Sequence, residues 1–483
     1  MLADSHHADT ASVLGRSMRR VGNLLLTLSA ITPAMSVFII GQQAVQQAGT
    51  GALWCFVLAG VLAVTTAFVY AELSSAFPLT GGEYSMISAT MGPSWGFMAL
   101  GLNLFGGATG QAVTALGLAD YLGVVFPNVP ALPVALMVTA GTTVITLLNI
   151  RLNARVTGAF LVVELLALGM MTALGFFHPH RDLTAVAMHP VLLAGGTLTQ
   201  PGLVAIGLAT ASAIYAYNGY GGAVYFGEEM YEARTKVAWV VFDSLIIALV
   251  AEFVPICAAL VGAGDLKSVL GADMPFAAFL AAEGGPLVEK AVCLGVAFAI
   301  INAMIAIGLI NARQLFCSAR DDVWPPTMSR WLASVHPRWR SPWIATLVMG
   351  AATTGCCFVP LPLLVMLTGT GVAVIYAGVS IAAIAGRRTG RTNAGHYRMP
   401  LYPLWPAASL VGLAGVGVAD VLDPAVGRPS LIANGVVMAI AAGYYLFYLK
   451  GRGHWRLRGA DGQPLEVLEG LAPPLPEPIS PPS

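Results

Sequence analysis

Residues 21–70 carry no Asp, Glu, Lys or Arg. About 20 apolar residues suffice to cross the roughly 30 Å of hydrocarbon in a bilayer, so a run this long is room for two crossings. Seven further uncharged stretches follow, at 91–118, 121–150, 203–227, 291–309, 343–386, 401–419 and 431–449. Only 10% of the 483 residues are charged, against about 25% in soluble domains. The 24 basic and 24 acidic residues balance, so no net field draws nucleic acid or an acidic partner. These features describe a polytopic membrane protein whose surroundings are the lipid bilayer.

The eight His lie outside the apolar stretches, and the six Cys contain no C-x-x-C. Metal and haem sites need clustered imidazoles or thiolates, so neither a metal nor another cofactor is expected. The cysteines read as small packing residues. The N-terminus is polar up to Asn23, with Arg16, Arg19 and Arg20 before the first apolar stretch, and lacks a cleavable signal pattern. The first span is therefore expected to be retained. Residues 472–483 are Pro-rich and carry no assigned chemistry.

Hydropathy broken at Gly and Pro predicts twelve spans. Six fall at 22–45, 50–74, 94–122, 131–150, 155–177 and 203–228, and six at 237–263, 286–317, 342–359, 362–385, 402–421 and 431–449. Lys and Arg test that count independently. With a cytoplasmic N-terminus, twenty fall on the inner side and four outside (Arg181, Lys267, Lys290 and Arg428). The positive-inside rule then places both termini in the cytoplasm, with the plasma (inner) membrane the expected location.

Two spans are chemically unsuited to continuous helix. The first contains Ser29-Ala30-Ile31-Thr32-Pro33-Ala34-Met35-Ser36. Pro33 there removes an amide donor and clashes with the preceding turn. The sixth contains Tyr215-Ala216-Tyr217-Asn218-Gly219-Tyr220-Gly221-Gly222. Each Gly costs about 1 kcal/mol relative to Ala inside a helix. Small residues can also serve close helix packing. Interruptions at matching positions of two halves, however, point to a transporter binding site.

Several ordered motifs resemble the amino acid–polyamine–organocation transporter superfamily over roughly residues 20–450. Ala71-Glu72-Leu73-Ser74-Ser75-Ala76-Phe77-Pro78, followed by Gly81-Gly82-Glu83-Tyr84, is similar to the AELSSxxPxxGGxY signature. Asn149 through Arg155-Val156, Phe226-Gly227-Glu228-Glu229, Ala312-Arg313 through Arg320-Asp321, His336-Pro337 and Arg398-Met399-Pro400 resemble the family's later patterns.

The resemblance implies a LeuT-type all-α fold of twelve transmembrane helices. Residues 21–178 and 202–386 would be inverted five-helix repeats, with 400–450 peripheral and 1–20 and 451–483 as cytoplasmic tails. It implies an amino acid held by Ser29, Ala30, Ile31, Thr32, Ala34, Met35 and Ser36 and by Tyr217, Asn218, Gly219 and Tyr220. The half-helix beginning near Ala34 would offer free amides to a carboxylate, and freed carbonyls would accept from an ammonium. Tyr215 resembles a gating aromatic. The family's usual Gly-Ser-Gly in span one is here Ala34-Met35-Ser36, whose side chains narrow the backbone approach.

Glu164 stands in an otherwise apolar segment of the fifth span. A central acidic residue costs about 2.5–3.5 kcal/mol to insert, which makes it a functional candidate by default. It resembles the position where proton-coupled relatives carry a lysine, so a carboxyl there could carry the coupling proton. Glu252, followed by Pro255, is the rival carrier. The expected function is a secondary amino acid permease working by alternating access, with proton-coupled uptake. Alternatives are exchange, carriage of a polyamine or other amine, and a nutrient sensor that binds without turnover. An enzyme is not expected, because no span pairs a nucleophile with His.

Overall fold

The computed structural model describes residues 19–126, 129–147, 150–339, 341–452 and 455–458. Arg16, Asn149, His454 and the Pro-rich tail lie outside the described residues, as do the side chains of Arg151, Arg155 and Glu229.

Gly and Pro set where the helices start and stop. Gly92, at φ 99°, precedes Pro93–Val125 with Pro93 in its first turn. Pro360 separates Trp343–Cys356 from Leu361–Arg388, leaving the short turn expected there. Gly285, at φ 79°, interrupts Pro275–Arg320, so the long continuous helix begins at Pro286, where the sequence placed a span. A two-stranded antiparallel hairpin pairs Leu192–Ala194 with Thr197–Thr199, with Gly195 and Gly196 turning at positive φ.

Among the described residues, seven helical runs are long and apolar enough to cross a bilayer, including Arg20–Ala76 and Pro275–Arg320. Two shorter apolar helices, Ala131–Thr146 and Trp343–Cys356, accompany them. Their outer faces show which solvent they need. Trp54, Leu58 and Val61 lie about a turn apart on Ala52–Ala76 and are exposed. Val162, Leu166 and Met170 on Ile150–Phe177, and Trp239, Ile246 and Val250 on Ala233–Gly262, are exposed in the same way. Stripes of this kind are unfavourable in water and neutral in hydrocarbon. The chain is a helical polytopic membrane protein.

The loops are knitted into two separate sets. In the first, Glu72 holds Arg387 through two contacts at 2.7 and 2.5 Å and accepts from the Met399 amide. Ser75 bridges the Arg234 carbonyl and the Tyr397 amide. Glu228 accepts from Arg320 at 2.8 and 3.1 Å and from the Thr80 amide. In the second set, Thr50 exchanges hydrogen bonds with Val191, Trp54 donates to the Ala187 carbonyl, and Gln46 donates to that of Asp273. The first set is drawn from the Arg-rich loops of the charge count. Two of the apolar helices are interrupted, after Ile31 and after Tyr217.

Candidate functional site

The first helix ends at Ile31, because Thr32 turns left-handed (φ 45°, ψ 80°) ahead of Pro33. The chain re-enters helix at Pro33–Met35 and continues as a π-turn over Ser36–Gly41 before Gln42–Ala48. The backbone groups freed here find side-chain partners from the same chain. The Thr32 hydroxyl donates to the Ser29 carbonyl, and the Ser36 hydroxyl lies 3.2 Å from that of Ile31. The Ala34 amide, the free donor opening the second half-helix, donates to Glu164 Oε1 at 2.7 Å.

The second break is built differently. Leu203–Tyr217 is regular helix, Asn218 is extended, and Gly219 takes φ 130°, ψ −21°. A 3₁₀-helix, Tyr220–Glu229, follows. A Cβ on Gly219 would lie 2.7 Å from Ile31 Cγ1 and 3.0 Å from Ile31 Cα. The absence of a side chain is thus what lets the two breaks touch. Ser36 adds a second tie, its hydroxyl lying 2.8 Å from the Ala216 carbonyl.

A cavity of about 150 Å³ opens where the breaks meet. Of the residues singled out from sequence, Ala30, Ile31, Met35, Asn218, Gly219 and Tyr215 line it. Ser29, Thr32, Ala34, Ser36, Tyr217 and Tyr220 stand behind that wall, all buried. Tyr215 donates to the Gly110 carbonyl at 3.3 Å, joining Leu203–Tyr217 to Pro93–Val125 across one edge of the cavity. Asn218 accepts from the Tyr376 hydroxyl at 3.1 Å.

Glu164 also stands behind the wall, fully buried, its second oxygen Oε2 without a hydrogen-bond partner among the described residues. Glu252 is equally buried, beside the Ser36 hydroxyl and within electrostatic reach of Glu164. What distinguishes Glu164 is its grip on the Ala34 amide.

A profile for amino acid permeases matches residues 22–444. The chain belongs to the amino acid permease family. A methylthioribose transporter of Bacillus subtilis is 23% identical over 467 residues, covering 91% of this permease and 94% of the relative. A branched-chain amino acid permease of the same organism is 23% identical, covering 81% and 86%. An uncharacterized transporter of Mycobacterium tuberculosis is 24% identical, covering 71% and 74%. These relatives are carriers, not enzymes.

Sequence reasoning passed over much of the permease's cavity wall. Tyr70, Glu83, Asn103, Tyr225, Asn311, Gln314 and Tyr376 all line it. Of these, Glu83 had a legible signal, an acidic residue between Gly-Gly and Tyr in a stretch otherwise poor in charge.

Proposed function

We propose that this permease is a secondary active carrier that takes up an amino acid by alternating access, coupled to protons. In this reading twelve helices span the inner membrane with both tails cytoplasmic. Residues 21–178 and 202–386 form the two inverted five-helix repeats of a LeuT-type fold, and 400–450 lies at the periphery. The substrate rests between the breaks, and Tyr215 gates one edge of the cavity.

The observation that carries this reading is the Glu164–Ala34 hydrogen bond. A helix N-terminus is where a substrate carboxylate would seek a donor, and here a carboxyl of the chain already occupies it. A charged carboxylate holds such a donor more strongly than a neutral one. Protonation of Glu164 therefore loosens its hold on the Ala34 amide, and an opening of the wall at Met35 would then present that amide to the incoming carboxylate. Substrate and proton then favour each other's binding, and linkage makes that preference reciprocal. Release of the substrate returns the amide to Glu164 as its proton leaves.

The test is uptake of radiolabelled amino acids and amines into proteoliposomes with an imposed inward proton gradient. Accumulation of an amino acid above its external concentration, abolished by a protonophore, is the expected result. Uptake only into vesicles preloaded with substrate would replace symport by exchange. Saturable binding without any uptake would indicate a sensor.

A further inference from the structure

Glu83 is the second residue of Gly82–Met91, a helix that the sequence patterning did not anticipate. Its carboxyl is buried, at 6% exposure, yet lines the cavity. Oε1 accepts from the Tyr70 hydroxyl at 2.6 Å. Oε2 accepts from Asn103 Nδ2 at 3.1 Å and from the Tyr225 hydroxyl. All three donors are neutral, and they come from three different elements. Among the described residues, no Lys, Arg or His forms an ion pair with Glu83.

The arrangement contrasts with the carboxylates of the knitted loops, where Glu72 meets Arg387 and Glu228 meets Arg320. Burying a carboxylate is costly unless it is hydrogen-bonded and paired with opposite charge. Glu83 has the hydrogen bonds and lacks the charge. Its surroundings offer a second acceptor as well. Gln314 lines the same cavity next to Tyr225, and its Oε1 is buried without a hydrogen-bond partner among the described residues. The wall at this point is phenol rings from Tyr70, Tyr225 and Tyr376, surfaces that favour an ammonium over an anion. Space is kept by Gly221, where a Cβ would lie 2.9 Å from the Tyr70 ring and 3.5 Å from Glu83 Oε1.

We propose that Glu83 is the cation-recognition point of this cavity, taking the distal ammonium of a cationic amino acid or the second amine of an alkyl diamine. The inference rests on the cavity being the substrate site. It deepens that reading by naming the charge of the substrate. The breaks hold the carboxylate-bearing or first-amine end, Glu83 supplies the missing charge partner, and Gln314 accepts from a remaining N–H.

The test is equilibrium binding to the purified full-length protein, read as thermal stabilisation and as competition between probes. L-Lysine is compared with L-norleucine, which has the same carbon skeleton without the distal ammonium, and with 1,4-diaminobutane. Lysine is expected to bind at least about tenfold more tightly than norleucine, the range of a charge-assisted hydrogen bond. Glu83→Gln should erase that preference while norleucine binding persists, which also shows that the variant is folded. Tyr225→Phe, which keeps the carboxylate and removes one donor, should retain the preference for lysine. Norleucine binding as tightly as lysine overturns the proposal, as does an undiminished lysine preference in Glu83→Gln or no stabilisation by any cationic probe. The permease reading fails separately, through absence of vesicle uptake whichever probe binds.

Discussion

The two breaks perform the same local task, interrupting an apolar helix, by opposite means. At the first, side chains of the protein occupy what the break frees. Thr32 takes the Ser29 carbonyl, Ser36 reaches that of Ile31, and Glu164 takes the Ala34 amide. At the second, Gly219 adopts a conformation (φ 130°) that side chains disfavour, and the chain then runs on as 3₁₀-helix. A break held open by a glycine is permanent. One filled by a titratable side chain can be emptied and refilled. On the proposed coupling, the comparison divides the labour between a fixed half of the site and a switchable half.

Replacing the fixed element should have the largest effect. In Gly219→Leu the side chain would meet Ile31 backbone and adopt a disfavoured φ, a strain of about 1–3 kcal/mol before the steric cost. Uptake should vanish while membrane insertion, measured by surface labelling, remains. Normal uptake would mean that the contact between the breaks is mere packing. Next comes the switch. Glu164→Gln keeps the shape and fixes the neutral state, so accumulation driven by a proton gradient should fall to simple equilibration, with binding retained. Uptake at several external pH values is the measurement, and the variant's rate should lose the wild-type rise toward acid pH. An unchanged profile would pass the coupling role to Glu252. The smallest effect belongs to the tie between the halves. Ser36→Ala removes one buried hydroxyl interaction of about 1 kcal/mol, which should lower affinity several-fold and, because that hydroxyl also stands beside Glu252, shift the pH profile less than Glu164→Gln does. A shift as large as that of Glu164→Gln would show that the two halves are less separable than their construction suggests.

Both breaks were legible because their causes are local. Pro33 and the run Gly219, Gly221 and Gly222 disrupt helix wherever the fold places them. Helix positions were legible for the same reason, since apolar runs and Gly/Pro punctuation are properties of neighbouring residues. Glu164 stood out against Val163 and Leu165, but its partner Ala34 lies 130 positions away. Only the packing of Ile150–Phe177 against the first break reveals that contact. Glu83 is visible as a lone acidic residue, but its surroundings are hidden for a further reason. It occupies the variable position of the Gly-Gly-x-Tyr pattern, and its partners Tyr70, Asn103 and Tyr225 come from separate elements that no short motif joins. The helix Gly82–Met91 that carries it is too weakly patterned to be read from hydropathy.

The 3₁₀ stretch Tyr220–Glu229 bears on motion as well as on shape. Runs beyond three or four residues are uncommon in this conformation, and each residue advances about 2.0 Å against 1.5 Å in an α-helix. Ten residues therefore hold about 5 Å of extra length. One end of the segment follows the fixed break at Gly219, and the other carries Glu228, clasped by Arg320. Rewinding it as α-helix would shorten the chain between that break and the clasp, and because Arg320 ends the helix Pro275–Arg320, that helix end would be pulled with it like a load on a shortening tether.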